Sequence, residues 1–407
     1  MALIAADNRD VERSLQKLMT LSKKAGAEFS DDMVVKCIDG NLSIEAPPDS
    51  VGQVLMWLPW HCLVPLKPFN LSVVNDDIVI SSHDEGLARA SVARMEAFLE
   101  LYNLTHKLAL HRRTSPWPLV ASHPELLAYV TRGRGRGAYV ISGKLYEPGK
   151  ENELLLRSFL NSRVFSYKTS GQQSPTQEIH VEVLLPILDS MNHHFHGALY
   201  SYCQRDKDRY LTVTRSVPLP EMAPEMAPEM ANECFAYYGW HDSFDTWMTY
   251  GFIDESVPFV CSAPMRLDLP DLGTIEVGHV IQNRAAGEFP ESEKDLYFYI
   301  PKLLARRKNH IEVSSLLIPG PGAPRALRRA LHLLITEMRP VHPRQSDLVL
   351  LAEQQIVAAN ANYFRNLRAL LHSLSPKDPL QQPVRENFIR LCDLQLARIQ
   401  NYCFYPK

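Results

Sequence analysis

The sequence predicts an α+β protein in two parts: a β-rich domain interrupted by a helical insertion, then an all-helical domain after about residue 285. Three observations carry this expectation. Residues 33–63 hold short apolar runs broken by Asp39-Gly40 and Pro47-Pro48, the punctuation of strands and tight turns. Residues 85–112 and 151–167 change to apolar residues spaced as on one face of a helix. From 292 onward the helical spacing dominates, with Pro and Gly clustered between the periodic stretches.

Composition narrows the function classes. The 407 residues allow two or three domains, and 45% apolar with 22% charged residues is an ordinary globular balance. No apolar run approaches the length of a membrane span, and residues 1–11 lack a basic stretch followed by an apolar one. A net charge of −3 argues against bulk affinity for nucleic acid or an anionic membrane. Seven cysteines without a C-x-x-C pair read as reduced thiols of a cytoplasmic protein, and no zinc is expected.

In chain order, Val11, Leu15 and Leu18 line one face of a helix over 8–26, with Gly26 as its stop. Met33–Val35, Leu42–Ile44 and Val54–Pro59 are expected strands. The helix over 85–112 buries Leu87, Val92, Met95, Leu99 and Leu101. Arg132–Gly137 is an Arg-Gly run, read as a mobile turn rather than an RNA contact because it is short and the chain is acidic. A helix over 151–167 ends in Asn161-Ser162-Arg163-Val164-Phe165-Ser166. Pro220-Glu221-Met222-Ala223 is repeated twice more, and proline at every fourth place suits a surface loop at a hairpin tip. A hairpin-like stretch is expected up to about 280. Helices are expected over 296–305, 325–338, 346–374 and 384–402, the third capped by Ser346 with Asp347 in its first turn.

The stretch from Leu184 to Phe252 carries the chemistry. An apolar run ends in Asp189-Ser190-Met191-Asn192-His193, a second ends in Tyr238-Gly239, and Tyr250-Gly251-Phe252 follows at a helical distance. Apolar runs that deliver polar side chains at their ends are how scaffolds aim functional groups. Taken singly, each has a plain structural reading. Arg163 suits a surface ion pair, Asn192-His193 a turn that bonds its own backbone, and Tyr238-Gly239 a strand end. His193-His194-Phe195-His196 invites a metal, but adjacent histidines in one turn do not converge on one ion, and no metal is expected.

In their order these motifs resemble the SET-domain methyltransferases of the Rubisco large-subunit lysine methyltransferase type, a group that includes the actin-histidine methyltransferase. That family follows an Asp-x-x-Asn-His segment with Tyr-Gly-x-x-Ser-Asn-x-x-Leu-Leu-x-x-Tyr-Gly-Phe, and often has a Ser-Arg-x-Phe segment upstream. The resemblance implies a split SET domain over 33–63 and about 160–285, with an N-terminal helix and a helical insertion over about 85–160. It implies a substrate-binding helical domain over 286–407. It implies S-adenosylmethionine as cofactor and N-methylation of a protein side chain, lysine or histidine. Arg163 would meet the cofactor carboxylate, Asn192 its amine and the His193 backbone its adenine, while Asp189 orders the loop. Tyr238 and Tyr250 would form the methyl-transfer channel, with Phe252 packed beneath Tyr250. The sequence departs from the pattern in three places. Gly40-Asn41-Leu42-Ser43 has one glycine where the family has Gly-x-Gly, Asp242-Ser243 stand for Ser-Asn, and Ala231-Asn232-Glu233 replaces a Gly-Glu-Glu turn. These departures point to a specialised acceptor or a cofactor-binding relic, and two alternatives stay open: a catalytically weak scaffold that binds a protein partner through its helical domain, and an enzyme using the same cofactor on a small molecule.

Overall fold

The computed structural model describes residues 3–134, 149–171, 174–205, 208–217, 232–278, 298–323, 325–376 and 378–404. It is a mixed α+β protein of several small sheets with a helical C-terminal region. The chain packs as two units, Met1–Arg112 with Leu155–Gly239, and Arg113–Leu154 with Trp240–Lys407. The packing therefore divides at Gly239, whereas the boundary expected near 285 falls outside the described residues. The Pro-Glu-Met-Ala repeats also lie outside them.

The first unit opens with the strand Leu3–Ala6 and the helix Arg9–Lys24. Asn8 caps that helix, its side chain accepting from the Asp10 and Val11 N–H groups. Val11, Leu15 and Leu18 are buried as the spacing predicts, and Gly26 takes φ +83° just beyond the end. Val34–Ile38 and Asn41–Glu45 form a hairpin whose two-residue loop is Asp39-Gly40, both at positive φ. The lone glycine of the degenerate motif is thus a hairpin-turn residue, and a Cβ on it would stand 3.1 Å from the Thr105 carbonyl oxygen. Val54–Pro59 lies between Glu28–Phe29 and Asp208–Thr214 in a four-stranded antiparallel sheet completed by Tyr200–Arg205. Pairing of residues 54–59 with 208–214 draws the two distant segments of this unit into one core.

Two helical expectations shift here. The 85–112 helix is two helices, Arg89–Leu104 and Lys107–Thr114, parted at His106 with φ +50°. The 151–167 helix stops at Asn161; residues 162–164 turn, and Phe165–Gly171 becomes a strand against Ser174–Leu184. Aromatic and β-branched residues at 164 and 165 favour that partnered strand over another helical turn.

The second unit contains Trp117–Ser122, Pro124–Gly133 and Ser243–Tyr250 as helices beside Ala326–Met338, Gln345–Ser373 and Gln381–Phe404. The expectation of an all-helical segment after 286 is corrected. Leu303–Arg307, His310–Val313 and Leu317–Pro319 are strands. The first two join Met265–Leu269 and Gly273–Val277 in a four-stranded sheet. Pro301 breaks the helix expected over 296–305, and Ile311 and Val313 alternate with polar neighbours at strand period. Ser346 is not a cap: the helix starts at Gln345, and Arg344 at the cap position makes no side-chain capping bond. The Arg-Gly run is not a mobile turn where it is described. Gly133 lies against the Tyr363 ring, and Arg134 is buried on Asp242 and Asp245. Among the described residues no helix is long and apolar enough to cross a membrane.

Candidate functional site

Of the expected site residues of the first unit, Arg163 bonds Asp189 and Tyr238 lies close to Arg163. Leu184, Leu185 and Leu188 are core residues, and between them the chain must turn sharply to deliver the carboxylate. It does so at Ile187, which holds φ +64° and ψ −45° while the Leu188 N–H donates to the Pro186 carbonyl at 2.7 Å. This is the rare, strained form of the γ-turn, and a β-branched residue is its least comfortable occupant. Ile187 is 1% exposed, so core packing holds the turn in place. The strain sits two residues before Asp189.

Two donors converge on Asp189 Oδ2. Arg163 Nη1 lies at 2.9 Å and the Tyr102 hydroxyl at 2.5 Å. The Arg163 guanidinium is also layered against the Tyr102 and Phe159 rings, 5.6 and 5.4 Å from their centroids. Burial raises the Asp189 pKa against the pull of Arg163 and Tyr102. Burial also opposes the Arg163 charge, but Asp189 together with Tyr102 and Tyr238 outweighs it and the guanidinium pKa is raised. We read the pair as ionised, because two donors share one carboxylate oxygen. Among the described residues Arg163 Nε is buried without a hydrogen-bond partner. A buried guanidinium N–H is satisfied by an acceptor, a carboxylate best of all.

Tyr238 is half-buried, and its hydroxyl donates to the Met191 carbonyl. It lies near enough to Arg163 and Tyr102 to perturb both. Parallel pairing of Asn192 with Phe235 and of His193 with Ala236 ties the Asp-x-x-Asn-His segment to the tyrosine segment. A Cβ on Gly197 would stand 2.6 Å from the Ala236 carbonyl carbon, so the close approach of these strands needs glycine there. His193 Nδ1 accepts from the Tyr238 N–H at 3.1 Å, and the two rings lie 5.0 Å apart. The same nitrogen lies 3.2 Å from the Ala236 carbonyl oxygen. Asn192 is exposed and donates from Nδ2 to Glu233 Oε1 at 2.8 Å. Burial raises the Glu233 pKa; Asn192 opposes the shift and Glu45 adds to it.

Arg163, Asp189 and Tyr238 are therefore together, with His193 against Tyr238 and Asn192 turned to Glu233. Tyr250 and Phe252 belong to the second unit. Tyr250 ends the helix Ser243–Tyr250, and its ring meets His241 at 5.6 Å and Phe252 at 5.9 Å. Gly251 closes that helix at φ +80°, its N–H donating to the Trp247 carbonyl. Asp242, one of the departures from the family pattern, caps the same helix through the Phe244 and Asp245 N–H groups.

Sequence reasoning missed Tyr102, Lys107, His111 and Glu233. Lys107 is half-buried, and burial followed by the Arg163 charge lowers its pKa to about 8. His111 is buried with Nε2 2.9 Å from Ser158 Oγ, and burial followed by Arg163 lowers its pKa to about 3. The first three sit on helices whose apolar spacing accounts for their burial, so nothing in the pattern marked them. Glu233 carried a signal, the acidic residue in the departing Ala231-Asn232-Glu233 turn. The unit also has an open groove of about 760 Å³ bordered by Ile78, Ile80, Glu96, Leu99 and Glu100, but none of the expected site residues lines it. The chain matches no known protein family and no curated protein.

Proposed function

We propose that this protein is an S-adenosylmethionine-dependent N-methyltransferase of the SET type acting on a protein side chain. The observation that carries the reading is the Arg163–Asp189–Tyr238 cluster, three residues far apart in sequence, with an Arg163 Nε that lacks an acceptor. The residues fit the cofactor's polar groups. Arg163 is held by Asp189 and its uncommitted Nε offers a donor to an α-carboxylate. The Asn192 amide nitrogen is taken by Glu233, which leaves the amide oxygen, beside a carboxylate, to receive an α-ammonium.

When bound, S-adenosylmethionine supplies a methyl group on a sulfonium, ready for in-line displacement by a neutral nitrogen. The chain's task is alignment and exclusion of water, which together are worth roughly 7–11 kcal/mol in well-oriented reactions. Tyr238 commits its proton to Met191, so its oxygen presents lone pairs rather than a donor, the polarity a methyl on a cation prefers. Its aromatic face adds attraction for the sulfonium. Asp189 acts through Arg163 and Tyr102 as a positioning residue.

Titration calorimetry with S-adenosylmethionine and its demethylated product tests the reading. Saturable binding is expected, weakened about tenfold or more in Asn192→Ala, whose exposed side chain leaves the fold untouched. Tyr238→Phe is expected to bind the cofactor and lose most transfer of labelled methyl groups to protein. Binding of neither ligand would remove the methyltransferase reading in favour of a partner-binding scaffold.

A further inference from the structure

A second cluster of polar side chains stands on the sheet of the second unit. Gly273–Val277 and His310–Val313 run parallel, with Thr274 opposite His310 and Glu276 opposite Glu312. Strand alternation sends Ile275, Val277, Ile311 and Val313 into the core and leaves those four on the other face. His310 Nδ1 is 2.8 Å from Thr274 Oγ1, while Nε2 is 3.4 Å from Glu312 Oε1 and 3.7 Å from Glu276 Oε2. One ligand atom from each of Glu276, His310 and Glu312 lies within 4.8 Å of the other two.

Two features of this arrangement call for a cation. Like charges directly opposite on paired strands repel. Among the described residues neither carboxylate is ion-paired to an arginine or lysine: Arg266, the other cross-strand neighbour of Glu276, gives its Nε to Asp268. The spacing is the second feature. Bonds of 2.0–2.1 Å to nitrogen and oxygen put neighbouring ligands of a tetrahedral ion about 3.4 Å apart, close to the separations His310 Nε2 already keeps. A contrast within the same unit is instructive. Asp242, Asp245 and Cys261 also converge, but Arg134 Nη2 lies 2.8 and 3.1 Å from the two carboxylates and is itself their cation.

We propose that Glu276, His310 and Glu312 form a binding site for a divalent transition metal ion such as zinc. His310 Nε2 also lies within hydrogen-bond reach of Glu312 Oε1, and an ion would replace that proton: with Thr274 Oγ1 then accepting from Nδ1–H, the Nε2 lone pair faces the ion. An imidazole nitrogen with two carboxylates selects transition metals over magnesium and calcium, which take oxygen alone. The His310 and Glu312 side chains are 26% and 38% exposed and that of Glu276 60%, so the ion enters from solvent without rearrangement and water completes its shell.

The test is calorimetric titration of the full chain, free of any histidine tag, with zinc and separately with cobalt, whose visible absorption reports coordination. One zinc per chain is expected, with saturable cobalt absorption and no comparable response to magnesium. His310→Ala should abolish the site, Glu276→Gln and Glu312→Gln should each weaken it, and Thr274→Val should weaken it about tenfold or more. All four lie on a solvent-facing surface, and an unchanged thermal midpoint without metal shows that each variant is folded. Absence of zinc binding, or binding that survives His310→Ala, would overturn the site.

Discussion

Lys107 shows at the scale of one residue how a candidate binding site strains the fold that carries it. Burial first, and then the Arg163 guanidinium, lower its pKa to about 8 from an ordinary 10.5. The folded-state value lies below the unfolded one, so the unfolded chain binds this proton more tightly. The ammonium therefore costs stability at neutral pH, and the cost fades as pH rises from 8 to 10.5. After a discount for partial exposure the cost is about 1–2 kcal/mol. A position kept at that cost beside Arg163 fits a second positive charge facing the α-carboxylate of the proposed cofactor. Lys107→Met is expected to raise the thermal midpoint by a few degrees and to weaken binding of S-adenosylmethionine. Unfolding curves and calorimetry on the same variant check both halves, and a variant less stable than the parent would sink the argument.

The helix Ser243–Tyr250 makes the corresponding point for an element. Eight residues form a marginal helix alone, and this one depends on Asp242, which is fully buried and satisfied on both oxygens. Oδ1 caps the helix and accepts from Arg134, while Oδ2 accepts from the Cys261 N–H at 2.8 Å. Removing it loses a cap, about 1 kcal/mol, and leaves a buried guanidinium short of a partner, about 3–5 kcal/mol. Asp242→Ala should lower the thermal midpoint of its unit by roughly 10 °C, and Asp242→Asn, which keeps the cap, by less. Calorimetric scans decide; a midpoint unchanged in Asp242→Ala would show that the network does not hold the helix. The same comparison explains what the sequence disclosed. The helices Ala326–Met338 and Gln345–Ser373 were legible because their 3.6-residue spacing is local. Leu303–Arg307 was not, since Leu-Leu-Ala-Arg-Arg suits either state and its partner strand settles it. Arg163, Asp189 and Tyr238 were legible from motif order, whereas Tyr102, Lys107 and His111 reach the same place from helices tens of residues upstream. Only tertiary packing put them there.

For the molecule as a whole, the response to acid follows from a small number of buried groups of opposite sign. His111 is 6% exposed, bonded to Ser158 and set edge-on to Phe159 at 5.6 Å, with Arg163 near enough to oppose its charge. Its folded-state pKa of about 3 lies below the unfolded value of 6.5, so the stability it contributes is complete above 6.5. That stability is lost as pH falls toward 3, at about 1.4 kcal/mol per pH unit. Asp189 and Glu233 act in the other direction. Burial raises their pKa values, so the folded chain gains relative stability as they protonate in acid. Of these three groups His111 is the one whose titration costs stability in acid, and the two carboxylates oppose it. His111→Gln keeps a neutral donor for Ser158 and removes the titration. The wild-type midpoint should fall several degrees more than that of His111→Gln between pH 7 and pH 5, as read by thermal unfolding at the two values. Parallel falls in the two proteins would mean that acid acts through other groups. A fall confined to the wild type would mean that protonation of His111 accounts for the loss of stability in acid.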